Sequence, residues 1–330
     1  MRRSLLFLTT ALLMSFVLGA CTASSEQTEP QELMKIRLPM GFIADPQYAP
    51  YYVAVDKGYF AEEGLEIEFD YSFETDGIAL VGAGELPFAV VGGEQVILAR
   101  AQGLPVVYVY EWYQKYPIAL VSKVSAGIVE PQDLVGRSVG LPGLFGATYV
   151  GYVGLLSANG LTQDDVQAEE IGFTQVETLM ADRVDAVVGY AANEPIQLQN
   201  AGEAINVLYV SDYIDMVANG IITNEETIAN NPDLVTGFVR ALNRGLADTL
   251  ADPQEAFEIS KKFVEGLEDG RFAVLEASLP MWAGDPLGYT DARSWERTQD
   301  VLLSIGFLDA PVDDLSAAFT NEFVEQVNNE

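Results

Sequence analysis

The sequence predicts an α/β protein, and three observations carry that prediction. Short apolar runs of strand length alternate with helical runs through residues 35–224. The last part of the chain, from about residue 231, is helical. Glycines and prolines punctuate the junctions, where strands pass into loops and helices stop. The length that remains after the N-terminal segment, about 300 residues, can bury a large core and predicts two domains.

The first unit is organised around residues 40–65. A strand over residues 35–40 runs into a loop holding Asp45, Pro46, Gln47 and Pro50. A helix opens near Ala49 and ends at Gly58. A second helical turn stops at Gly64, which suits the left-handed conformation that terminates helices. The strand that follows, residues 65–71, alternates apolar and acidic residues. Strand, polar-aromatic loop, helix and strand make one βαβ unit. In open α/β sheets ligands sit where such a loop meets a helix N-terminus.

Further units converge on the same cleft. Thr75, Asp76 and Gly77 are expected to cap a short helix over residues 78–81. Residues 86–91 are apolar throughout, as in a strand buried on both faces. Gly92, Gly93, Glu94 and Gln95 then form a second corner before a helix over residues 96–102, the glycines allowing close approach to the backbone. A strand over residues 105–111 ends in Trp112 and Tyr113. Residues 118–122 are expected to carry the first crossing between domains. In the second domain a corner with Phe145 and Thr148 precedes a helix over residues 149–157. Strand 169–172 and helix 176–181 lead to a strand ending in Tyr190, and Asn193, Glu194 and Pro195 open the next helix. The return crossing falls at residues 209–219, followed by a strand over 220–224. A long amphipathic helix over 234–250 comes next, with Pro253 starting another. Gly266, Gly270, Pro280 and the turn at Gly284, Asp285 and Pro286 break up the remainder before a last long helix, 290–305.

Three segments carry a family resemblance. The run PYYVAVDKGYFAEEGLEIEF, residues 50–69, resembles the opening signature of periplasmic binding proteins of ABC importers. Asp133, Leu134, Gly136, Arg137, Val139 and Gly140 resemble the family's D-L-x-G-K-x-V-G segment, with Arg137 in place of lysine. Asp185, Ala186, Gly189 and Tyr190 resemble its D-A-x-x-G-Y strand. The likeness covers about residues 35–328. The nearest group handles thiamine-precursor pyrimidines, with nitrate, sulfonate and riboflavin binders as relatives. The resemblance implies a two-domain type II binding-protein fold with two hinge crossings, a ligand cleft between the domains, and ABC permease and ATPase partners. It leaves the ligand open. The expected division is residues 35–121 plus 214–330 for the first domain and 122–213 for the second, in a monomer.

The N-terminus reads as an export signal over residues 1–20. Arg2 and Arg3 form the basic region, and residues 5–18 are an apolar run shorter than the roughly 20 residues of a spanning helix. Leu18, Gly19, Ala20 and Cys21 resemble a bacterial lipobox, with Cys21 as the lipidated residue and the protein held on the extracytoplasmic face of the cell membrane. Residues 21–34 then form a polar tether. Cys21 is the only cysteine, so disulfides and cysteine-based redox or metal sites are excluded. Removal of residues 1–20 loses two positive charges and no negative ones, taking the net charge from −32 to −34. Nucleic acid is a poor partner for such a chain, because phosphates demand Lys and Arg.

There is no histidine, which removes the commonest general base and metal ligand. Neither a Gly-x-Ser-x-Gly elbow nor a Walker sequence occurs. Enzymes of the broad family that make the thiamine pyrimidine use a histidine and clustered cysteines, and this chain has neither. No enzymatic activity, metal or cofactor is expected. The acidic pairs Glu62–Glu63, Asp164–Asp165, Glu169–Glu170 and Asp313–Asp314 lie at turns and helix ends, as solvated surface charge does.

The remaining signal is aromatic and polar residues at strand ends. Phe42, Tyr48 and Tyr51 stand at the first corner, Trp112 and Tyr113 at the first crossing, and Phe145, Tyr149 and Tyr190 in the second domain. Any one of them suits a core equally well, but together at loop corners they suit flat-ring stacking. Asp45, Gln47, Gly93, Glu94, Thr148, Asn193 and Glu194 complete the candidate binding set. No Arg or Lys lies at these corners, which disfavours anions and favours a neutral or cationic heteroaromatic with N–H or O–H groups. Riboflavin is the leading expectation because the aromatic supply exceeds the needs of one pyrimidine ring. A thiamine-precursor pyrimidine (formylaminopyrimidine or hydroxymethylpyrimidine) is the alternative, and a ligand-sensing surface protein is the alternative of another class.

Cys21→Ser is expected to release a soluble or uncleaved form from the membrane fraction. A correctly sized mature product that still pellets with membranes would refute the lipid anchor.

Overall fold

The computed structural model describes residues 32–330, so the expected signal segment and Cys21 lie outside the described residues. The chain opens with β1 (Met34–Gly41), a 3-10 turn at Pro46–Tyr48, α1 (Ala49–Asp56), α2 (Tyr59–Glu62), β2 (Leu65–Phe73) and α3 (Glu74–Gly82). Then follow β3 (Ala89–Gly92), α4 (Gly93–Ala101), β4 (Val106–Glu111), β5 (Ile118–Lys123), β6 (Ser138–Leu141) and α5 (Gly146–Ala158). The middle of the chain supplies β7 (Gln167–Glu170), α6 (Gln175–Met180), β8 (Ala186–Tyr190), α7 (Glu194–Asn200), β9 (Ile205–Tyr209) and β10 (Asn219–Asn224). Helices α8 (Glu225–Asn230), α9 (Pro232–Ala251), α10 (Pro253–Ser260), α11 (Phe272–Trp282), α12 (Ala292–Ser304) and α13 (Glu322–Asn328) complete it.

The strands form two lobes with the same order. In the second lobe one sheet runs β7-β6-β8-β5-β9, with β6 parallel to β7 and β8, and β5 antiparallel to β8 and β9. In the first lobe β2 pairs parallel with β1, β1 packs alongside β3, and β10 lies antiparallel between β3 and β4. Each lobe thus takes its antiparallel strand from the chain just arrived from the other lobe. The first crossing is residues 112–117 and the second residues 210–218.

Each crossing is bonded to the strand beside the other, β10 or β4. Trp112 N and Tyr113 N both donate to Asn219 O, at 3.1 and 3.0 Å. Ala218 N donates to the buried Glu111 carboxylate at 3.1 Å.

Several expectations shift. Residues 118–122 do not cross between lobes. From Ile118 to Lys123 that stretch is paired on both sides by β8 and β9, so the crossing lies N-terminal to it and the expected boundary at 121/122 moves to residues 112–117. The expected cap at Thr75 is absent, because α3 already begins at Glu74 after an extended Phe73. Helices α4 and α5 start at Gly93 and Gly146, three residues before the expected positions, so the corner glycines lie in helical first turns. At Gly93 a side chain has no room, since a Cβ would stand 2.2 Å from Val217 Cγ1. Strand β9 was not expected. Pro280 does not break α11, which continues to Trp282 with Leu275, Ser278 and Trp282 buried. Packing of those residues outweighs the missing N–H, a cost of about 3 kcal/mol in a helix interior.

The two family-like motifs in the second lobe serve one structural contact. Asp185 accepts from Ser138 N and Ser138 Oγ, both at 2.9 Å, and pairs with Arg137 at 3.5 Å. This fastens β6 to β8 at their N-terminal ends, away from the crossings.

Helix α9 is amphipathic, with Val235, Phe238, Val239, Leu242 and Leu246 buried on one face. It lies across α1 so closely that a Cβ on Gly245 would stand 2.3 Å from Pro50 O and 2.8 Å from Ala54 Cβ. Alanine normally stabilises a helix relative to glycine by about 0.5–1 kcal/mol. Here the sign reverses: Gly245→Ala is expected to destabilise by about 1–3 kcal/mol through overpacking, read as a lower urea midpoint at unchanged slope.

Candidate functional site

The C-terminal ends of β1, β3, β4 and β8 meet at the crossings, the position where open α/β sheets bind ligands. Asp45 and Gln47 sit in the buried turn that enters α1. Asp45 Oδ1 accepts from Gln47 N at 3.0 Å, and its other oxygen pairs with Arg271 Nη2. Arg271 Nη1 reaches the second lobe and donates to Asn193 Oδ1 at 3.0 Å. Gln47 Nε2 donates to Tyr113 Oη at 3.1 Å.

The aromatic residues form one assembly. Tyr48, anchored by its hydroxyl on Met40 O at 2.6 Å, stacks on Trp112 with centroids 5.4 Å apart and planes at 28°. Trp112 also stacks on Trp282 at 5.8 Å and lies 4.6 Å from Tyr113. Tyr51 is wholly buried behind them, edge-on to Trp112 at 5.1 Å. Tyr113, from the first crossing, faces Tyr190 of the second lobe at 6.4 Å.

Acids line the other side. Tyr190 Oη donates to Asn219 Oδ1 at 3.2 Å, and Asn219 Nδ2 donates to Glu74 Oε1 at 2.9 Å. The second Glu74 oxygen accepts Gly92 N at 3.3 Å. Glu94, fully buried, folds its carboxyl onto Gly92, and neither of its oxygens has a hydrogen-bond partner. Glu194 accepts Tyr190 N at 2.7 Å and Asn193 Nδ2 at 3.4 Å.

The structure therefore brings together Asp45, Gln47, Tyr48, Tyr51, Gly93, Glu94, Trp112, Tyr113, Tyr190, Asn193 and Glu194. Phe42 stands at the rim, where its ring meets Phe173 of the second lobe edge-on at 5.8 Å. Phe145 and Thr148 stand apart from the buried assembly. Phe145 is 64% exposed with its ring folded over Gly143, and Thr148 is half-buried in the first turn of α5.

Four members were missing from the sequence reading: Glu74, Asn219, Arg271 and Trp282. Asn219 opens a strand at a crossing, and Trp282 is one of three tryptophans, so both carried some signal. Arg271 carried none. The reading that no cation reaches the site is corrected, because α11 and the turn before it pack back onto the turn at Pro46–Tyr48.

Burial decides the charges. It raises the Glu74 carboxyl, whose side-chain oxygens point inward although the residue is half-exposed, and raises Glu94 further because Glu74 is beside it. Burial pushes Glu194 up to about 7 and Glu111 to about 8. It also lifts Asp45, an effect that Arg271 opposes. Tyr48, Tyr51, Tyr113 and Tyr190 are raised by burial and remain neutral hydroxyls. The site thus offers flat ring faces, neutral donors and acids able to donate or accept. Among the described residues no cluster of three His, Cys, Asp or Glu could hold a metal ion, and no helix is long and apolar enough to cross a membrane.

A family model described as NMT1/THI5 like matches residues 45–256, which takes in the first lobe's corner, both crossings and the whole second lobe. The chain belongs to the NMT1/THI5-like family. Within reach of this family it is 44% identical over 318 residues to a riboflavin-binding protein of Chloroflexus aurantiacus, covering 93% of this chain and 90% of the relative. It is 27% identical over 317 residues to a formylaminopyrimidine-binding protein of Halalkalibacterium halodurans, covering 92% and 94%. Among solved structures it resembles the periplasmic aliphatic sulphonate binding protein of Escherichia coli, with a TM-score of 0.71 at 15% identity over 88% of this chain and 99% of that one. The fold is that of the periplasmic binding proteins, in two α/β lobes.

The buried glutamates give this family member a pH signature. Between their ordinary value of 4.5 and their raised values near 7 to 8, the folded state holds protons that the unfolded chain has released. Stability therefore falls as pH rises through that window. The melting temperature of the empty protein is expected to be lower at pH 8.5 than at pH 5.5. Glu94→Gln should flatten the fall, raising the value at pH 8.5 by about 2–4 °C for each kcal/mol recovered. Parallel pH profiles for the two proteins would refute the assignment of a raised Glu94.

Proposed function

We propose that this chain is the substrate-binding component of an ABC importer and that its ligand is riboflavin. One observation carries the reading: Tyr48, Trp112, Tyr113, Tyr190 and Trp282 join in a single aromatic assembly where the lobes meet, beside Glu74, Glu94 and Glu194. The name of the C. aurantiacus relative supports the same ligand. A fused flavin ring presents wide flat faces for stacking and N–H and carbonyl edges for the glutamates, tyrosine hydroxyls, Gln47 and Asn193.

Tyr48 and Trp112 stack directly on each other, too close to hold another ring between them. The pair that hinge opening would separate is Tyr113 and Tyr190, because Tyr190 travels with the second lobe. We place the flavin ring there. The lobes touch through Phe42 and Phe173, Arg271 and Asn193, and Tyr190 and Asn219, and closure around ligand would re-form this boundary. The closed form would then be presented to the permease, with Cys21 as the lipid anchor on the extracytoplasmic face. Binding, not catalysis, is the activity proposed.

A thiamine-precursor pyrimidine is the second reading, favoured by the H. halodurans relative. A sensing role without transport is distinguished by the neighbouring genes, where permease and ATPase reading frames favour import.

Riboflavin emission should be quenched on addition of the protein, at one ligand per chain. Trp112→Ala or Tyr190→Ala should weaken binding by about 1–3 kcal/mol, with Phe replacements costing less. If formylaminopyrimidine stabilises the protein and riboflavin neither quenches nor stabilises, the second reading replaces the first.

A further inference from the structure

Asp45 is 4% exposed, and both of its oxygens are engaged. Oδ1 accepts the Gln47 backbone N–H at 3.0 Å, and Oδ2 holds Arg271. A guanidinium and a backbone N–H are the groups that recognise a phosphate monoester or another small anion. Here the protein's own carboxylate holds both. Arg271 also reaches Asn193 across the lobe boundary at 3.0 Å, so its guanidinium borders the space where a ligand clasped between the lobes would lie. The other carboxyl groups at this place are Glu74 and Glu194, hydrogen-bonded into it, and Glu94 beside them.

We propose that Asp45 is a specificity-determining residue, an internal counter-ion that reserves Arg271 and so restricts the cleft to ligands without a negative charge. For a flavin this selects the vitamin against its 5′-phosphate. An anionic ligand would have to displace a buried carboxylate from its guanidinium and would leave that carboxylate unpaired beside it, a like-charge juxtaposition that costs enough to reject a partner. The proposal rests on the riboflavin reading only for the choice of flavin probes.

The test titrates riboflavin and riboflavin 5′-phosphate against the full mature chain and against Asp45→Asn. Asparagine keeps an oxygen for Gln47 N–H, so the turn into α1 persists; Asp45→Ser repeats the test if that variant does not fold. The unsubstituted chain should prefer riboflavin by about tenfold or more, and Asp45→Asn should narrow the ratio by about tenfold. The gain in phosphate-ester affinity should weaken with added salt and vanish when Arg271→Gln is combined with Asp45→Asn. Equal affinities in the unsubstituted chain, or an unchanged ratio in a folded Asp45→Asn that still binds riboflavin, overturn the proposal. Inorganic phosphate provides a probe independent of the flavin: at millimolar concentration it should raise the melting temperature of Asp45→Asn and leave that of the unsubstituted chain unmoved. A chain that binds neither flavin overturns the riboflavin reading, and the phosphate contrast then decides this proposal alone, equal shifts refuting it.

Discussion

The main-chain carbonyl of Asn219 accepts the N–H groups of both Trp112 and Tyr113, and much of the site depends on that contact. It joins the first crossing to the start of the strand that follows the second, so the rings of Trp112 and Tyr113 are held at the junction and not on a free loop. The side chain of the same asparagine runs outward between Glu74 of the first lobe and Tyr190 of the second. One residue thus fixes the aromatic wall, holds an acid and touches the second lobe. The neighbouring contact from Ala218 N to Glu111 reinforces it from below.

Around that junction the two lobes repeat a strand order that the residues do not repeat. In each, a parallel set is closed by one antiparallel strand, β10 or β5, delivered by the crossing just before it. The geometry follows from the connection. A chain that leaves one lobe at the C-terminal ends of its strands enters the next lobe at the same end, and must run against the parallel set. Both crossings are therefore confined to the cleft side.

The electrostatics of the cleft run against those of the surface. The exterior of this strongly acidic chain is solvated, and its charges cost little. Inside the cleft the same residue types are buried, and burial drives them towards the neutral form. Glu94, with no partner for either oxygen, is the extreme case. Burial lifts Asp45 too, but there it is opposed by a guanidinium that arrives from more than two hundred residues away in sequence. The result is a site of neutral donors and ring faces, with its one strong ion pair already closed on itself.

The sequence by itself determined the α/β class, the order of most elements, and the strand-end positions of Tyr48, Glu94, Trp112, Tyr190 and Glu194, because hydrophobic period and glycine placement are local properties. It also excluded histidine chemistry and disulfides within the chain by composition alone. It misplaced the starts of α4 and α5, since glycine reads as a helix breaker while Gly93 sits in a first turn where Val217 leaves no room for a side chain. Tertiary structure alone decided which aromatic rings share a wall and which, like Phe145, remain outside in solvent. It alone turned Tyr51 into a buried support behind Trp112. It alone brought Glu74, Asn219, Trp282 and Arg271 to the cleft. Those four come from separate elements, and their proximity arises from helix packing and sheet crossing between residues far apart in the chain, for which no local pattern exists to be read.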